Sequence, residues 1–110
     1  MSYIKKSKSD IYITPQRVYD IIENEYGLKK QDMFDPCPIN PTQDGLLIDW
    51  MRYNFVNPPY TLLADFVTKA LKESHRGNSI IMLLPSKTDQ QWFHDLEQFH
   101  YSIIWIKKSL

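Results

Sequence analysis

Cysteine, glycine and long apolar runs are all scarce in this chain of 110 residues, and each scarcity excludes a class of protein. Cys37 is the single cysteine, so an internal disulfide is excluded and a reducing compartment is expected. No apolar run reaches about 18 residues, which argues against a transmembrane helix. The three glycines form no G-x-G-x-x-G run, so the glycine-rich turn of dinucleotide-binding proteins is absent.

The net charge is zero, because 13 Lys and Arg residues balance 13 Asp and Glu residues. This balance argues against a protein that holds nucleic acid through bulk charge alone. Lysines nevertheless cluster near both termini: Lys5, Lys6, Lys8, Lys107 and Lys108. Such runs are usually solvated, and residues 1–9 are interpreted as a flexible basic tail. If both tails lie beside a binding cleft, they could neutralise a few phosphates.

Neither a metal site nor an export signal is predicted. The histidines, His75, His94 and His100, are scattered and show no zinc-type spacing with the cysteine. The basic N-terminus is not followed by an apolar segment, so no signal peptide is expected. With 43% hydrophobic and 24% charged residues, the composition predicts one globular domain over residues 1–110. The single cysteine, together with the expected lack of a signal peptide and of a transmembrane helix, predicts a protein of the cytoplasm.

Three helices are predicted from capping signals and apolar spacing. Thr14-Pro15 is a typical helix start, with Thr14 as N-cap and Pro15 at the first helical position, and Gly27 ends that helix. Apolar residues at helical spacing predict a second helix from residue 63 to near Gly77. Asp89 is predicted to cap a third helix.

Short apolar runs predict the strands. Residues 33–34 precede prolines, residues 55–56 precede another proline turn, and residues 101–106 form the last run. Residues 79–85 are apolar almost throughout, which favours a central strand. Alternation of strands and helices predicts an α/β fold with a mostly parallel sheet and right-handed crossovers.

The most specific motif is Asn57-Pro58-Pro59-Tyr60, directly behind the predicted strand Phe55-Val56. Asn57 offers an amide oxygen beside the carbonyl of Pro58, and the prolines fix the turn geometry. Tyr60 offers a flat face on which a base can stack. Two acceptors aimed at one exocyclic amino group suit methyl transfer to an adenine nitrogen. The alternative is a proline-stiffened turn between a strand and a helix.

The loop Asp35-Pro36-Cys37-Pro38 follows the first predicted strand, where a nucleotide-like cofactor would bind. Asp35 could accept hydrogen bonds from a ligand, or it could cap the turn through an Asx hydrogen bond. Cys37 is interpreted as a small buried hydrophobe rather than a nucleophile.

Taken in order, these motifs resemble the phage-type DNA N-6-adenine methyltransferases (Dam-like), from about residue 10 to the C-terminus. The residues that carry the resemblance are Thr14-Pro15, Tyr26-Gly27-Leu28, Asp35-Pro36-Cys37, Asp44-Gly45-Leu46, Asp49-Trp50, Asn57-Pro58-Pro59-Tyr60, Leu83 to Asp89 and Trp92-Phe93-His94. The resemblance implies a minimal Rossmann-like methyltransferase fold. It also implies S-adenosylmethionine as cofactor and the exocyclic amino group of adenine in DNA as target, with the base flipped out of the duplex.

The resemblance also implies roles for individual residues. Thr14 and Pro15 are expected against the methionine part of the cofactor, and Asp35-Pro36-Cys37 in the cofactor loop. Asp49 is a candidate for the adenine or ribose of the cofactor. The catalytic residues would be Asn57, Pro58, Pro59 and Tyr60. The role of Lys87, Thr88, Asp89, Trp92 and His94 stays unassigned.

The sequence departs from the family pattern at its end. In the family the last strand continues into a hairpin strand, whereas residues 106–110 stop where that turn should begin. We therefore expect an exposed apolar edge strand, which invites pairing with another chain, such as a homodimer. Three alternatives stay open: a minimal DNA adenine methyltransferase, a non-catalytic module that binds cofactor or DNA, and an enzyme acting on RNA adenine or protein glutamine.

Overall fold

The computed structural model describes residues 13–39, 41–85 and 101–106. Its regular elements are helices α1 (Gln16–Tyr26) and α2 (Leu63–His75) and strands β1 (Tyr53–Val56), β2 (Ser79–Pro85) and β3 (Tyr101–Ile106). Two short 3-10 turns, Lys30–Asp32 and Tyr60–Leu62, lie between them. No helix in the described part of the chain is long and apolar enough to cross a membrane. The predicted α/β class is confirmed.

The sheet is mixed, with the order β1-β2-β3. β1 pairs with β2 in parallel, whereas β3 pairs with β2 in the antiparallel direction. The prediction of a mostly parallel sheet is therefore wrong for β3. Pro85 at the end of β2 is the pairing partner of Tyr101 at the start of β3. An apolar run indicates a buried strand but carries no information about its direction. The central position predicted for β2 is confirmed.

The strand predicted at residues 33–34 is reduced to a single parallel bridge between Phe34 and Asn54. The backbone N–H of Phe34 donates to Tyr53 at 2.9 Å, and Phe55 donates to Phe34 at 2.8 Å. Pro36 has no N–H to donate to a longer ladder. The bridge still sets the loop after Phe34 beside the end of β1.

The helices cover opposite faces of the sheet, because alternate residues of each strand point to opposite sides. On the α1 face the buried residues are Val18, Ile22, Phe55, Ile81 and Leu83. On the α2 face they are Cys37, Trp50, Val56, Phe66, Ala70, Ile80 and Met82. This two-sided burial explains why β2 is apolar almost throughout.

The ends of α1 differ partly from the prediction. Gly27 ends the helix as predicted, with φ at 72° and its N–H bonded to the Glu23 carbonyl at 2.8 Å. Pro15, not Thr14, is the N-cap residue, and no side chain caps the helix. Because Pro15 is extended, with ψ at 147°, helical geometry begins only at Gln16. The Thr14 side chain is thereby available for another contact.

The predicted third helix after Asp89, the lysine-rich tails, and Lys87, Thr88, Trp92 and His94 lie outside the described residues.

Candidate active site

The tetrad Asn57-Pro58-Pro59-Tyr60 leaves the sheet at the carboxyl end of β1. Asn57, Pro58 and Pro59 are buried, and Tyr60 is partly buried with its hydroxyl group inside the protein. Pro59 is extended, with φ at −64° and ψ at 145°, immediately before the 3-10 turn that begins at Tyr60. The two fixed proline φ angles thus hold Asn57 at the strand end rather than in a helix.

Asn57 contacts a residue 43 positions earlier in the chain. Its Nδ2 donates a hydrogen bond to Oγ1 of Thr14 at 3.0 Å. Asn57 is 7% exposed, so its polar groups need partners within the protein. The structure thereby brings a predicted catalytic residue and a predicted cofactor residue into direct contact.

The loop after Phe34 adopts an Asx turn. The Asp35 carboxylate oxygen Oδ1 accepts the backbone N–H of Cys37 at 2.8 Å. This is the capping alternative for Asp35, and it leaves the carboxyl group exposed to solvent. Cys37 is 8% exposed and packs with Trp50 and Val56, which agrees with its interpretation as a small hydrophobe.

The loop that contains Gly45 packs against the Asx turn. Gly45 lies against the backbone of Pro36, and a Cβ atom at Gly45 would overlap the Pro36 carbonyl oxygen. The carbonyl of Gly45 in turn accepts the indole N–H of Trp50 at 2.8 Å. The buried Trp50 thus fixes Gly45, and Gly45 limits where the loop from Asp35 to Cys37 can move.

A cleft of about 200 Å³ lies between these segments. It is lined by four of the predicted site residues, Thr14, Asp35, Cys37 and Asn57. It is also lined by five residues without a predicted role, Ile13, Tyr19, Lys30, Pro38 and Ile39. Apolar walls with a few converging polar groups are typical of a small-molecule site.

Tyr19 and Lys30 add the polar groups that sequence reasoning missed. The Lys30 Nζ lies 5.1 Å from the centroid of the Tyr19 ring, and that ring contacts Phe55 with centroids 5.1 Å apart. Burial raises the pKa of Tyr19, a hydrogen bond with Thr14 opposes the rise, and the negative charge of Asp35 adds to it. Tyr19 therefore remains a neutral phenol whose hydroxyl is close to Thr14.

Three predicted cofactor residues do not line this cleft. Pro15 caps α1, and Pro36 lines a neighbouring cavity of about 140 Å³ on the other side of the same loop, together with Asp35 and Pro38. Asp49 lies elsewhere: its carboxylate accepts Nη1 of Arg76 at 2.7 Å, beyond the end of α2. This ion pair is near the amino ends of the strands, opposite the end that carries Asn57. The structure does not bring Asp49 together with the other site residues.

A buried carboxylate links α2 to the loop before β1. Glu73 is fully buried and accepts hydrogen bonds from Lys69 and Asn78, each at 2.8 Å, and from Arg76 at 3.2 Å. Burial alone would raise the pKa of Glu73, but the bonds from Lys69 and Asn78 and a backbone bond from Trp50 lower it. In the sequence, the spacing of Glu73 from Lys69 (i, i+4) and from Arg76 (i, i+3) was the signal for part of this cluster.

The amino-acid sequence of the chain is similar to those of known proteins. The family model described as DNA N-6-adenine-methyltransferase (Dam) matches residues 1–110. A DNA N-6-adenine-methyltransferase of Haemophilus phage HP1 is 31% identical over 120 residues, which cover 98% of this chain and 68% of the relative. A DNA N-6-adenine-methyltransferase of Escherichia phage T1 is 32% identical over 110 residues, covering 92% of this chain and 46% of the relative. No solved structure matches the chain.

The chain therefore spans about two thirds of one relative and less than half of the other. Within residues 13–39, 41–85 and 101–106, no group of three or more His, Cys, Asp or Glu side chains could hold a metal ion.

Proposed function

The chain belongs to the DNA N-6-adenine-methyltransferase (Dam) family, and from this membership and the cleft we propose that it methylates the exocyclic amino group of adenine in DNA. The observation that carries the proposal is the position of Asn57. It lies at the carboxyl end of β1, lines the cleft, and its amide is held by Thr14 at 3.0 Å. Ligands of α/β sheets bind at this end of the strands.

The chemistry of the cleft fits S-adenosylmethionine, which when bound would supply an activated methyl group. Asp35 offers a carboxylate for the positive charges of the cofactor, and Lys30 offers an ammonium group for its carboxylate. Thr14 and Tyr19 offer hydroxyl groups, and Ile13 and Ile39 offer apolar surface. We propose Thr14, Asp35 and Cys37, together with Tyr19 and Lys30, as the cofactor residues that line this cleft.

The other cofactor residues implied by the resemblance have weaker structural support. Pro15 and Pro36 are proposed to contribute by fixing the backbone beside Thr14 and Asp35. A contact between Asp49 and the cofactor stays a prediction, because its partner in the structure is Arg76.

Asn57 and Pro58 would act on the target amine. The amide oxygen of Asn57 and the carbonyl of Pro58 would accept its two hydrogens, which stabilises the positive charge that develops on nitrogen during transfer. Because this charge is largest in the transition state, the contacts would lower the barrier more than they strengthen binding. Pro59 would keep the turn rigid, and Tyr60 would stack on the base.

We propose that the target base is flipped out of the duplex. Asn57 is 7% exposed, so a base that remains stacked in DNA could not place its amino group against this side chain. A duplex carrying 2-aminopurine at the target position tests this step. Its fluorescence should rise on addition of protein and cofactor, and an unchanged signal would argue against flipping.

Transfer of labelled methyl groups tests the function itself. The protein, supplied with tritiated S-adenosylmethionine and adenine-rich DNA, should label the DNA at the N6 position of adenine. Asn57→Ala should lower kcat by about 100-fold or more, as loss of a transition-state hydrogen bond does. Leu47→Ala, a change at an exposed residue outside the cleft, is the control and should retain the parental rate. Labelling by Asn57→Ala at the parental rate would contradict the assignment.

The same experiment separates the alternatives. Label found in an RNA or protein fraction, and not in DNA, would replace the proposed substrate with adenine in RNA or glutamine in protein. Cofactor binding by calorimetry without transfer to any fraction would replace the enzyme with a binding module.

A further inference from the structure

The amide group of Asn57 has two chemically different ends, and only one of them can accept the hydrogens of a target amine. If the amide rotated by 180°, its NH2 group would face the amine, and two donors would oppose each other. The activity proposed for Asn57 therefore depends on what fixes the rotation of this side chain.

Thr14 contacts the NH2 end of the amide. Asn57 Nδ2 lies 3.0 Å from Thr14 Oγ1, and both residues line the cleft. A hydroxyl alone does not fix an amide, because it can accept from NH2 or donate to the oxygen. The single hydroxyl hydrogen of Thr14 must be committed elsewhere if Thr14 is to present only lone pairs to Asn57.

The Tyr19 hydroxyl group is a nearby acceptor for the Thr14 hydroxyl hydrogen. The side chains of Thr14 and Tyr19 are hydrogen-bonded and both line the cleft, so the phenol oxygen can accept the hydroxyl hydrogen of Thr14. The Tyr19 ring is held in turn by Phe55 at 5.1 Å. The chain of donors then runs from Asn57 to Thr14 and from Thr14 to Tyr19.

We propose that Thr14 and Tyr19 are positioning residues that hold the Asn57 amide in the rotation in which its oxygen, and not its NH2 group, is offered to the target amine. This inference deepens the proposed function and rests on it only for the rate measurements. It gives Thr14, just before α1, and Tyr19, within α1, a part in catalysis through Asn57, in addition to lining the cofactor cleft.

Substitutions at Thr14 provide the first test. Thr14→Val keeps the shape of the side chain and removes the acceptor, so kcat at saturating cofactor should fall by about 10- to 100-fold. Thr14→Ser restores a hydroxyl and should recover most of the loss. Tyr19→Phe frees the Thr14 hydrogen and should give a smaller fall in kcat. A Thr14→Val effect confined to cofactor affinity, with kcat unchanged, would overturn the inference and leave Thr14 as a cofactor contact only.

Combination with Asn57→Asp provides the second test. A carboxylate has two equivalent oxygens, so its rotation needs no control. Thr14→Val should then lower kcat in the Asn57→Asp protein by no more than about 2-fold, far less than in the parent. An equal fall in both backgrounds would overturn the inference, because it would show that Thr14 acts independently of the amide.

A measurement without turnover keeps the inference separate from the proposed function. In ¹⁵N-labelled protein the side-chain NH2 signals of Asn57, identified by their loss in Asn57→Asp, should exchange slowly with water. The exchange should become faster in Thr14→Val and stay slow in Thr14→Ser. If the parent transfers no methyl group but shows this pattern, the proposed function fails and the positioning holds. Exchange that is unaffected by Thr14→Val would overturn the positioning, whatever the activity.

Discussion

Gly45 lies so close to Pro36 that a Cβ atom at Gly45 would overlap the Pro36 carbonyl oxygen. The obstacle is backbone, which cannot rotate away as a side chain could. We expect Gly45→Ala to displace the loop that carries Asp35 and to lower the free energy of unfolding by about 1–3 kcal/mol. Urea denaturation measures the stability, and calorimetry with S-adenosylmethionine should show weaker binding.

Gly27→Ala is the matched control for this change. Gly27 has φ at 72° and no neighbouring atom within 4 Å of a built Cβ, so the substitution costs only backbone strain, about 1 kcal/mol. It should lower stability without weakening cofactor binding. Parental cofactor affinity in Gly45→Ala would show that the loop position does not depend on this contact.

Asp35→Asn separates the charge of Asp35 from its role in the turn. The asparagine oxygen can still accept the Cys37 N–H, so the Asx turn and the unfolding midpoint should be preserved. The negative charge is lost, and the affinity for the positively charged cofactor should fall by about 10-fold. An unchanged dissociation constant in calorimetry would remove Asp35 from the proposed cofactor set.

Asp49→Asn tests the cofactor role that the resemblance gives to Asp49. Its carboxylate is exposed and paired with Arg76 at 2.7 Å, away from the cleft, and this pairing lowers its pKa. We expect the cofactor affinity of Asp49→Asn to match that of the parent, measured in the same titration as Asp35→Asn. Weaker binding would instead restore Asp49 to the cofactor set.

Glu73 should make stability depend on pH. Its pKa in the folded protein is lowered from the ordinary value of 4.5, so folding favours the charged form. The resulting stabilisation is complete above about pH 4.5 and is lost as the pH falls through the lowered pKa. Glu73→Gln should lower the free energy of unfolding by about 1–3 kcal/mol at pH 7, because Lys69 loses the charge of its fully buried partner.

Urea titrations between pH 7 and pH 3 check this expectation. The stability difference between the parent and Glu73→Gln should shrink towards the acid end of the range. A difference that is constant over the whole range would show that the carboxylate charge is not what stabilises the cluster.

β3 has one neighbour, β2, among the described strands, and its Ile104 side chain is 42% exposed. We propose a homodimer through this edge, because an apolar edge strand favours pairing with a second chain. Light scattering at micromolar concentration should give twice the monomer mass of 13.1 kDa, and Ile104→Lys should return the monomer. Leu47→Lys, at another exposed apolar residue, should not. A strictly monomeric parent would reject the dimer.

Local sequence patterns were sufficient to predict most of the helices and strands. Gly27 predicted the end of α1 because few other residues adopt its left-handed conformation, and the apolar run at residues 79–85 predicted a central strand because both its faces are covered. The direction of β3 could not be predicted in this way. Strand direction depends on which end of the neighbouring strand the connection reaches, and the apolar pattern is the same in both cases.

For the candidate site too, some features followed from the sequence and others only from the tertiary structure. By itself the sequence determined the tetrad at a strand end, the loop at Asp35 and the family, because these depend on residue type and order along the chain. Only the tertiary structure decided that Thr14 contacts Asn57 across 43 positions and that Tyr19 is hydrogen-bonded to Thr14. It also decided that Asp49 faces Arg76 instead of the cleft. Contacts between distant segments follow from how the helices pack on the sheet, and a pattern read along one chain does not contain that information.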